Sequence, residues 1–271
     1  MTLHTLDKIE QRSDEWYEQR RGIVTASTIG NLIATRKLSA IDYTCPECGA
    51  RPNDPCLGKR TPTPIKTLHS ERTAVAKSQA SVTVIEPASN DKSRWLTELL
   101  VAERITGRVE PTPISEEMWR GIEGEPFARD AYAKHHAPVR EVGFLVRDDW
   151  RFRIGCSPDG LVGDAGMIEI KTRSPKVQVR TILADTVPAE VMPQLQCALL
   201  VSGRKWIDYV SFSPGMALWV KRVTPDPVWQ TALVDAVRAF ERNAAEMQRL
   251  YAESVEGLPM TSLIVDPEIR I

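Results

Sequence analysis

A chain of 271 residues is long enough for one substantial α/β core with a small appendage. Its 35 lysines and arginines nearly cancel 36 aspartates and glutamates, so bulk charge advertises no polyanionic partner and leaves only a local basic groove as a route to nucleic acid. No apolar run approaches the roughly 20 residues of a membrane-spanning helix, and the first residues lack the apolar stretch of a secretory signal, so a cytoplasmic protein with no membrane partner is expected.

In chain order, Ser13 to Gly22 carries a serine cap, early acids and a closing glycine, which predicts a helix, and Thr25 to Ala34 is read as a second. Tyr43 to Pro64 changes character: rich in Pro, Gly and Cys and without period, it reads as an inserted knuckle. Helical patterns resume over Asp91–Gly107 and Ser115–His136, the latter opened by Ser115 with Glu116 and Glu117 in its first turn. From Val139 the texture turns to strands: VREVGFLV, RFRIGCSPDGLV and MIEIKT. Met192–Ser202 predicts a helix, IDYVSFS and ALWVKRV two strands divided at Pro214-Gly215. The tail is helical, with Trp229, Leu233, Val237, Phe240, Ala244, Met247 and Tyr251 on one face. This order implies a central mixed β-sheet flanked by helices.

The chemistry concentrates in Cys156-Ser-Pro-Asp-Gly-Leu161 and Ile168-Glu-Ile-Lys-Thr172. Side chains alternate along a strand, so Glu169 and Lys171 share one face. Charges on a buried strand face are costly unless that face lines a wet or metal-filled cleft. A hairpin through the Pro-Asp-Gly turn brings Asp159 beside Glu169, and two carboxylates suit Mg²⁺ or Mn²⁺. An exposed hairpin with solvated Glu and Lys fits the spacing equally well.

Pro158-Asp159 followed by Glu169-Ile170-Lys171 resembles the PD-(D/E)XK nuclease motif. CSPDGL with GMIEIK is similar to the lambda-type alkaline exonucleases, or YqaJ-like viral recombinases, as are Trp16–Ser27 (WYEQRRGIVTAS), Gly121–Arg129 (GIEGEPFAR) and Met192–Arg204 (MPQLQCALLVSGR). The resemblance implies a restriction-endonuclease-like α/β core spanning residues 1–271. It also implies exonuclease action on duplex DNA ends from 5′ to 3′, a phage or prophage recombination setting, a single-strand annealing partner and a homotrimer. It assigns Asp159, Glu169 and the Ile170 carbonyl to catalytic Mg²⁺ or Mn²⁺, Lys171 to catalysis, and Glu125 to an auxiliary carboxylate. Arg20 and Ser27 fall to the 5′ phosphate of the substrate. Gln194 and Gln196 lie two apart and cannot share a helix face; the family pattern favours Gln196 as the active-site member. A RecB- or Cas4-like repair nuclease shares the motif, although Cas4-type iron–sulfur cysteines flank the core. A non-catalytic zinc-knuckle DNA-binding protein has no reason to keep two carboxylates facing phosphate.

Cys45 and Cys48 are separated by two residues with Gly49 behind them, and Cys56 and His69 follow. Three thiolates and an imidazole make a closed tetrahedral set for structural zinc, in a module (residues 43–72) too small for its own core. The segment resembles C-P-x-C-G-A zinc modules of phage proteins, which lambda-type exonucleases generally lack. Arg51, Lys59, Arg60 and Lys66 outnumber Glu47 and Asp54 there, an excess open to phosphate contact. Cys156 and Cys197 read as small core residues.

Overall fold

The computed structural model describes residues 2–109 and 114–262. Strand β1 (Leu3–Leu6) leads to helix α1 (Asp14–Arg20). Ser13 caps α1 by accepting the Trp16 N–H at 3.2 Å, and Gly22, at φ +65°, turns the chain away in the left-handed region open to glycine.

The second expected helix does not form. β2 (Val24–Thr25) is followed by a 3₁₀ turn at Ile29–Leu32 and by β3 (Ile33–Lys37). A local competitor contributes: the Thr28 hydroxyl accepts the Thr25 N–H and donates to the Thr25 carbonyl, both at 3.1 Å. These side-chain bonds compete with the backbone ladder a helix would need. After the cysteine-rich segment come α2 (Ser70–Ser78) and β4 (Thr83–Pro87), which pairs antiparallel with β3 from Ile33↔Pro87 to Lys37↔Thr83. The cysteines are thus carried between the strands of a two-stranded ribbon.

Helix α3 (Asp91–Thr106) begins with a capping box between Asn90 and Ser93 and ends at Gly107, φ +68°. Helix α4 (Glu116–His135) is capped by Ser115 as the sequence predicts. Then follow β5 (Phe144–Arg147), β6 (Ile154–Cys156), β7 (Gly160–Val162) and β8 (Gly166–Thr172). Helices α5 (Pro175–Ala184) and α6 (Met192–Ser202) make the crossover to β9 (Trp206–Phe212), parallel to β8, and β10 (Trp219–Val223) and α7 (Pro227–Ser254) complete the order.

The sheet expected at the centre is present as two mixed four-stranded sheets, β1-β5-β6-β2 and β10-β9-β8-β7. Arg140, between α4 and β5, adds an isolated antiparallel bridge to Leu161 of β7. One face of β8 and β9 buries Met167 and Tyr209 in a core shared with Leu195, Cys197, Leu233, Val237 and Phe240, which lie on α6 and α7. The opposite face packs Ile168, Ile170 and Val210 against Ala128 and Tyr132 of α4. Cys156 and Cys197 are buried core residues. Leu233, Val237, Phe240 and Ala244 of the α7 stripe are buried, whereas Trp229 and Met247 are half-buried and Tyr251 is exposed.

Candidate functional site

The β7–β8 hairpin pairs Gly160 with Ile168, and continuing that register by one residue sets Asp159 across from Glu169. Asp159 Oδ2 accepts the Ile170 N–H at 2.6 Å, which fixes the carboxylate at the mouth of the hairpin. Glu169 is 4% exposed, and its Oε1 accepts from Lys171 Nζ at 2.8 Å and from Gln194 Nε2 at 2.6 Å. Desolvation, then the charges of Glu169 and Glu125, push the Asp159 carboxyl well above the ordinary range. For Lys171 desolvation works downward, but Glu169 and Asp159 overcome it and leave the ammonium more firmly protonated than usual.

Helix α4 brings the third carboxylate. It lies so close to β8 that a Cβ on Gly124 would come within 2.7 Å of the Thr172 side chain, so any larger residue there must displace it. The next residue, Glu125, pairs with Arg129 and lies 3.8 Å from Arg12. Desolvation raises its carboxyl too. Arg129 also donates to the Asp159 carbonyl at 2.9 Å, tying helix to hairpin. The two glutamines exchange their expected places. Gln194 reaches Glu169, while Gln196 is buried and spans the chain entering α7, donating to the Thr224 carbonyl and accepting the Asp226 N–H, both at 2.9 Å. Two residues on a helix are about 200° apart, so only one can face the carboxylates.

Arg20 and Ser27 come together, with Arg20 Nη2 donating to Ser27 Oγ at 3.1 Å. The guanidinium lies 4.0 Å from the centroid of the Trp16 ring, and Trp16 Nε1 donates to Ser157 Oγ at 2.8 Å. Burial lowers the Arg20 pKa to about 10, which still leaves it charged at neutral pH. Arg20, Ser27, Asp159, Glu169, Lys171 and Gln194 all line one cleft of about 550 Å³, as do Glu125 and Ile170. Trp16, Ser157 and Arg12 also line it, and Arg129 stands beside it, bonded to Glu125 and to the Asp159 carbonyl. Trp16, Ser157 and Arg129 sit in the marked sequence blocks, but only geometry shows what they hold.

Among the described residues, Cys45, Cys48, Cys56 and His69 are the group whose potential ligand atoms all lie within 4.8 Å of one another. Cys45 Sγ is 3.4 Å from His69 Nδ1. A tetrahedron with zinc–sulfur bonds has edges of about 3.8 Å, so the set is close to closed. The Leu57 N–H at 3.4 Å lowers the Cys48 thiol to about 6, whereas burial raises that of Cys45. Beneath them lies Arg72, 0% exposed, which donates to the carbonyls of Tyr43, Asp54, Ile41 and Arg51 and reaches Cys56 Sγ at 3.5 Å. Sequence gave no sign of this, since its partners are backbone atoms.

This is a mixed α/β fold with a carboxylate–lysine cleft and an appended Cys₃His cluster. The chain belongs to the family described as YqaJ-like viral recombinase domain, whose model matches residues 68–205. A second model, a putative DNA-binding phage zinc finger domain, matches residues 11–87, a span that includes the Trp16–Ser27 block lying outside the first. No curated protein matches the chain. The fold is similar to that of an alkaline exonuclease, LHK-Exo from Laribacter hongkongensis, at TM-score 0.63 and 24% identity over 91% of this chain and 100% of that one. A structure of LHK-Exo with dAMP matches at TM-score 0.60, 24% identity, 89% of this chain and 100% of that one. No helix among the described residues is long and apolar enough to cross a membrane.

Proposed function

We propose that the chain is a Mg²⁺- or Mn²⁺-dependent DNA exonuclease that degrades linear duplex from its 5′ ends and leaves 3′ single strands for recombination. The observation that carries this reading is the convergence, in one cleft, of Asp159, Glu169 and Lys171 with the Arg20–Ser27 pair. The cleft suits a hard divalent cation: its carboxylates are desolvated and mutually repelling, and a cation relieves both costs. Asp159, Glu169 and the Ile170 carbonyl would hold the ion, with Glu125 as an auxiliary carboxylate restrained by Arg129. When bound, such an ion supplies Lewis-acid polarisation of a phosphoryl oxygen and lowers the pKa of attacking water. Lys171, kept cationic by its two carboxylates, stabilises charge gathering on the phosphate. Gln194 holds Glu169 in orientation. Arg20, cradled by hydroxyls and stacked on Trp16, offers guanidinium donors to a terminal 5′ phosphate. The dAMP bound by LHK-Exo, a 5′ mononucleotide, fits a cleft of this composition.

The whole chain then acts as one exonuclease domain, with residues 43–72 a module stapled by structural Zn²⁺ through Cys45, Cys48, Cys56 and His69. A single-strand annealing protein and assembly as a homotrimer complete the reading, in the cytoplasm of a phage-infected or lysogenic bacterium. Purified protein incubated with linear and with circular duplex, with and without Mg²⁺, tests it. Mononucleotide release is expected from the linear substrate with Mg²⁺; equal attack on the circle would refute the exonuclease assignment.

A further inference from the structure

The cations in and beside the cleft fall into two groups. Lys171 is paired with Glu169, Arg129 with Glu125 and Glu141, and Arg12 lies near Glu125. Arg20 and Arg173 instead are held by neutral hydroxyls: Arg20 by Thr25 and Ser27, and Arg173 by the buried Tyr209 phenol, which accepts from Nη2 at 2.8 Å and Nε at 3.3 Å. No described carboxylate lies in ion-pair range of Arg173, and Arg120, from α4, also lines the cleft with no described partner. A guanidinium fixed in place with its charge unspent is what an incoming anion requires.

Position follows from the strand. The Arg173 N–H donates to the Phe212 carbonyl at 2.7 Å, so β8 pairing continues one residue past Thr172, and alternation puts Arg173 on the face of Glu169 and Lys171. Two residues along a strand are about 6.6 Å apart, on the order of one nucleotide step. Helix α5 begins at Pro175 beyond it; the Ser174 side chain forms no cap, and Ser174 and Val177 face the cleft, which adds the positive end of a ten-residue helix.

We propose that Arg173, assisted by Arg120 and the first turn of α5, is a second phosphate station. It binds the backbone phosphate of the degraded strand one linkage beyond the bond being cut, opposite the terminal phosphate on Arg20. This rests on the exonuclease reading for its choice of strand and linkage. The station registers the strand: terminal phosphate on Arg20, scissile phosphate at Lys171, next phosphate on Arg173.

The test is binding, which does not depend on cleavage. A 5′-phosphorylated duplex is titrated by fluorescence anisotropy with Ca²⁺ in place of Mg²⁺, unmodified or with a neutral methylphosphonate at the second linkage of the 5′ strand. The methylphosphonate should weaken the unaltered protein about tenfold and Arg173→Gln by less than twofold, while Arg173→Gln itself loses about tenfold on the unmodified duplex and about one unit of salt slope. Arg173→Lys should retain sensitivity to the methylphosphonate. A preference for 5′ phosphate over 5′ hydroxyl that survives in Arg173→Gln certifies its fold. Losses that multiply, or an unaltered protein indifferent to the methylphosphonate, overturn the station. Coupled binding without nucleotide release in Mg²⁺ would instead sink the exonuclease reading and leave the station standing.

Discussion

Replacing Arg72 by methionine keeps the aliphatic stem and removes every donor beneath the cysteine cluster. Four partly buried carbonyls lose partners now at 2.7, 2.7, 2.7 and 2.9 Å, and Cys56 Sγ loses a cation at 3.5 Å. Hydrogen bonds to a charged group contribute roughly 1.5–3 kcal/mol each, so the gross loss is about 6–12 kcal/mol. Two offsets apply: the guanidinium's own desolvation is no longer incurred, and the loops carrying Ile41, Tyr43, Arg51 and Asp54 can open to water. A net of about 3–5 kcal/mol remains, the range for removing one side of a buried charged contact. Zinc with three thiolates also carries a net negative charge that Arg72 offsets. In so small a module folding and metal binding are one equilibrium, so about 3 kcal/mol becomes at least a hundredfold weaker zinc affinity. Competition against a chromogenic chelator measures that directly. Limited trypsin digestion at the exposed Arg51 and Arg60 reports the loosening independently. Zinc affinity for Arg72→Met within threefold of the unaltered protein would refute the reasoning.

Asp159→Ala, Glu169→Ala and Lys171→Ala should each lower turnover on linear duplex by at least about a hundredfold, the scale of one major electrostatic contribution; Lys171→Ala with full turnover would break the assignment. Substrates with a 5′ phosphate should be cut faster than those with a 5′ hydroxyl, and Arg20→Ala should erase most of that difference, so equal rates on both ends of the unaltered chain would dismiss end recognition. Asp159 has a carboxyl raised in the fold above its unfolded value, so its contribution to stability is complete below the ordinary carboxylate range and is lost as pH rises toward the raised value. Mg²⁺ should therefore raise the melting temperature more at pH 8 than at pH 5, and a pH-independent increment would refute the desolvated-carboxylate account.

The parts of this molecule legible in sequence are those set by local chemistry. Helix α6 coincides with its predicted span because a largely apolar run closes on Gly203. Helix α3 is bracketed by Asn90 and Gly107, which cap it. The Asp159–Glu169–Lys171 convergence follows from strand alternation and one turn, both local rules. Where sequence misleads or is silent, the outcome depends on contacts distant in the chain. Thr25–Ala34 scans as helix until β2 finds β6 as a parallel partner through Val24↔Ile154. β3 and β4 lie 45 residues of intervening chain apart, and neither has a pattern that names the other. Helix α5 is dense in β-branched residues and is fixed by Gln178, whose amide bonds the Ser211 and Ala217 carbonyls across the crossover. The choice between Gln194 and Gln196 needs the rotation of α6 about its axis, which a helix apolar on nearly every side does not disclose.

The placement of the cleft follows from the way β8 changes along its length. Its inward face reads Met167, Glu169, Lys171 and then Arg173, passing from core contact to open cleft within about 20 Å of strand. Met167 is fully buried in the core that α6 and α7 share; the charges follow toward the first turn of α6. That turn puts Gln194 on Glu169, so the most buried of the charges meets a neutral donor as well as Lys171. The opposite face stays apolar at Ile168 and Ile170, sealed by α4 through the close approach at Gly124. The same contact that seals the core therefore delivers Glu125 to the cleft, and α4 cannot be loosened without disturbing both.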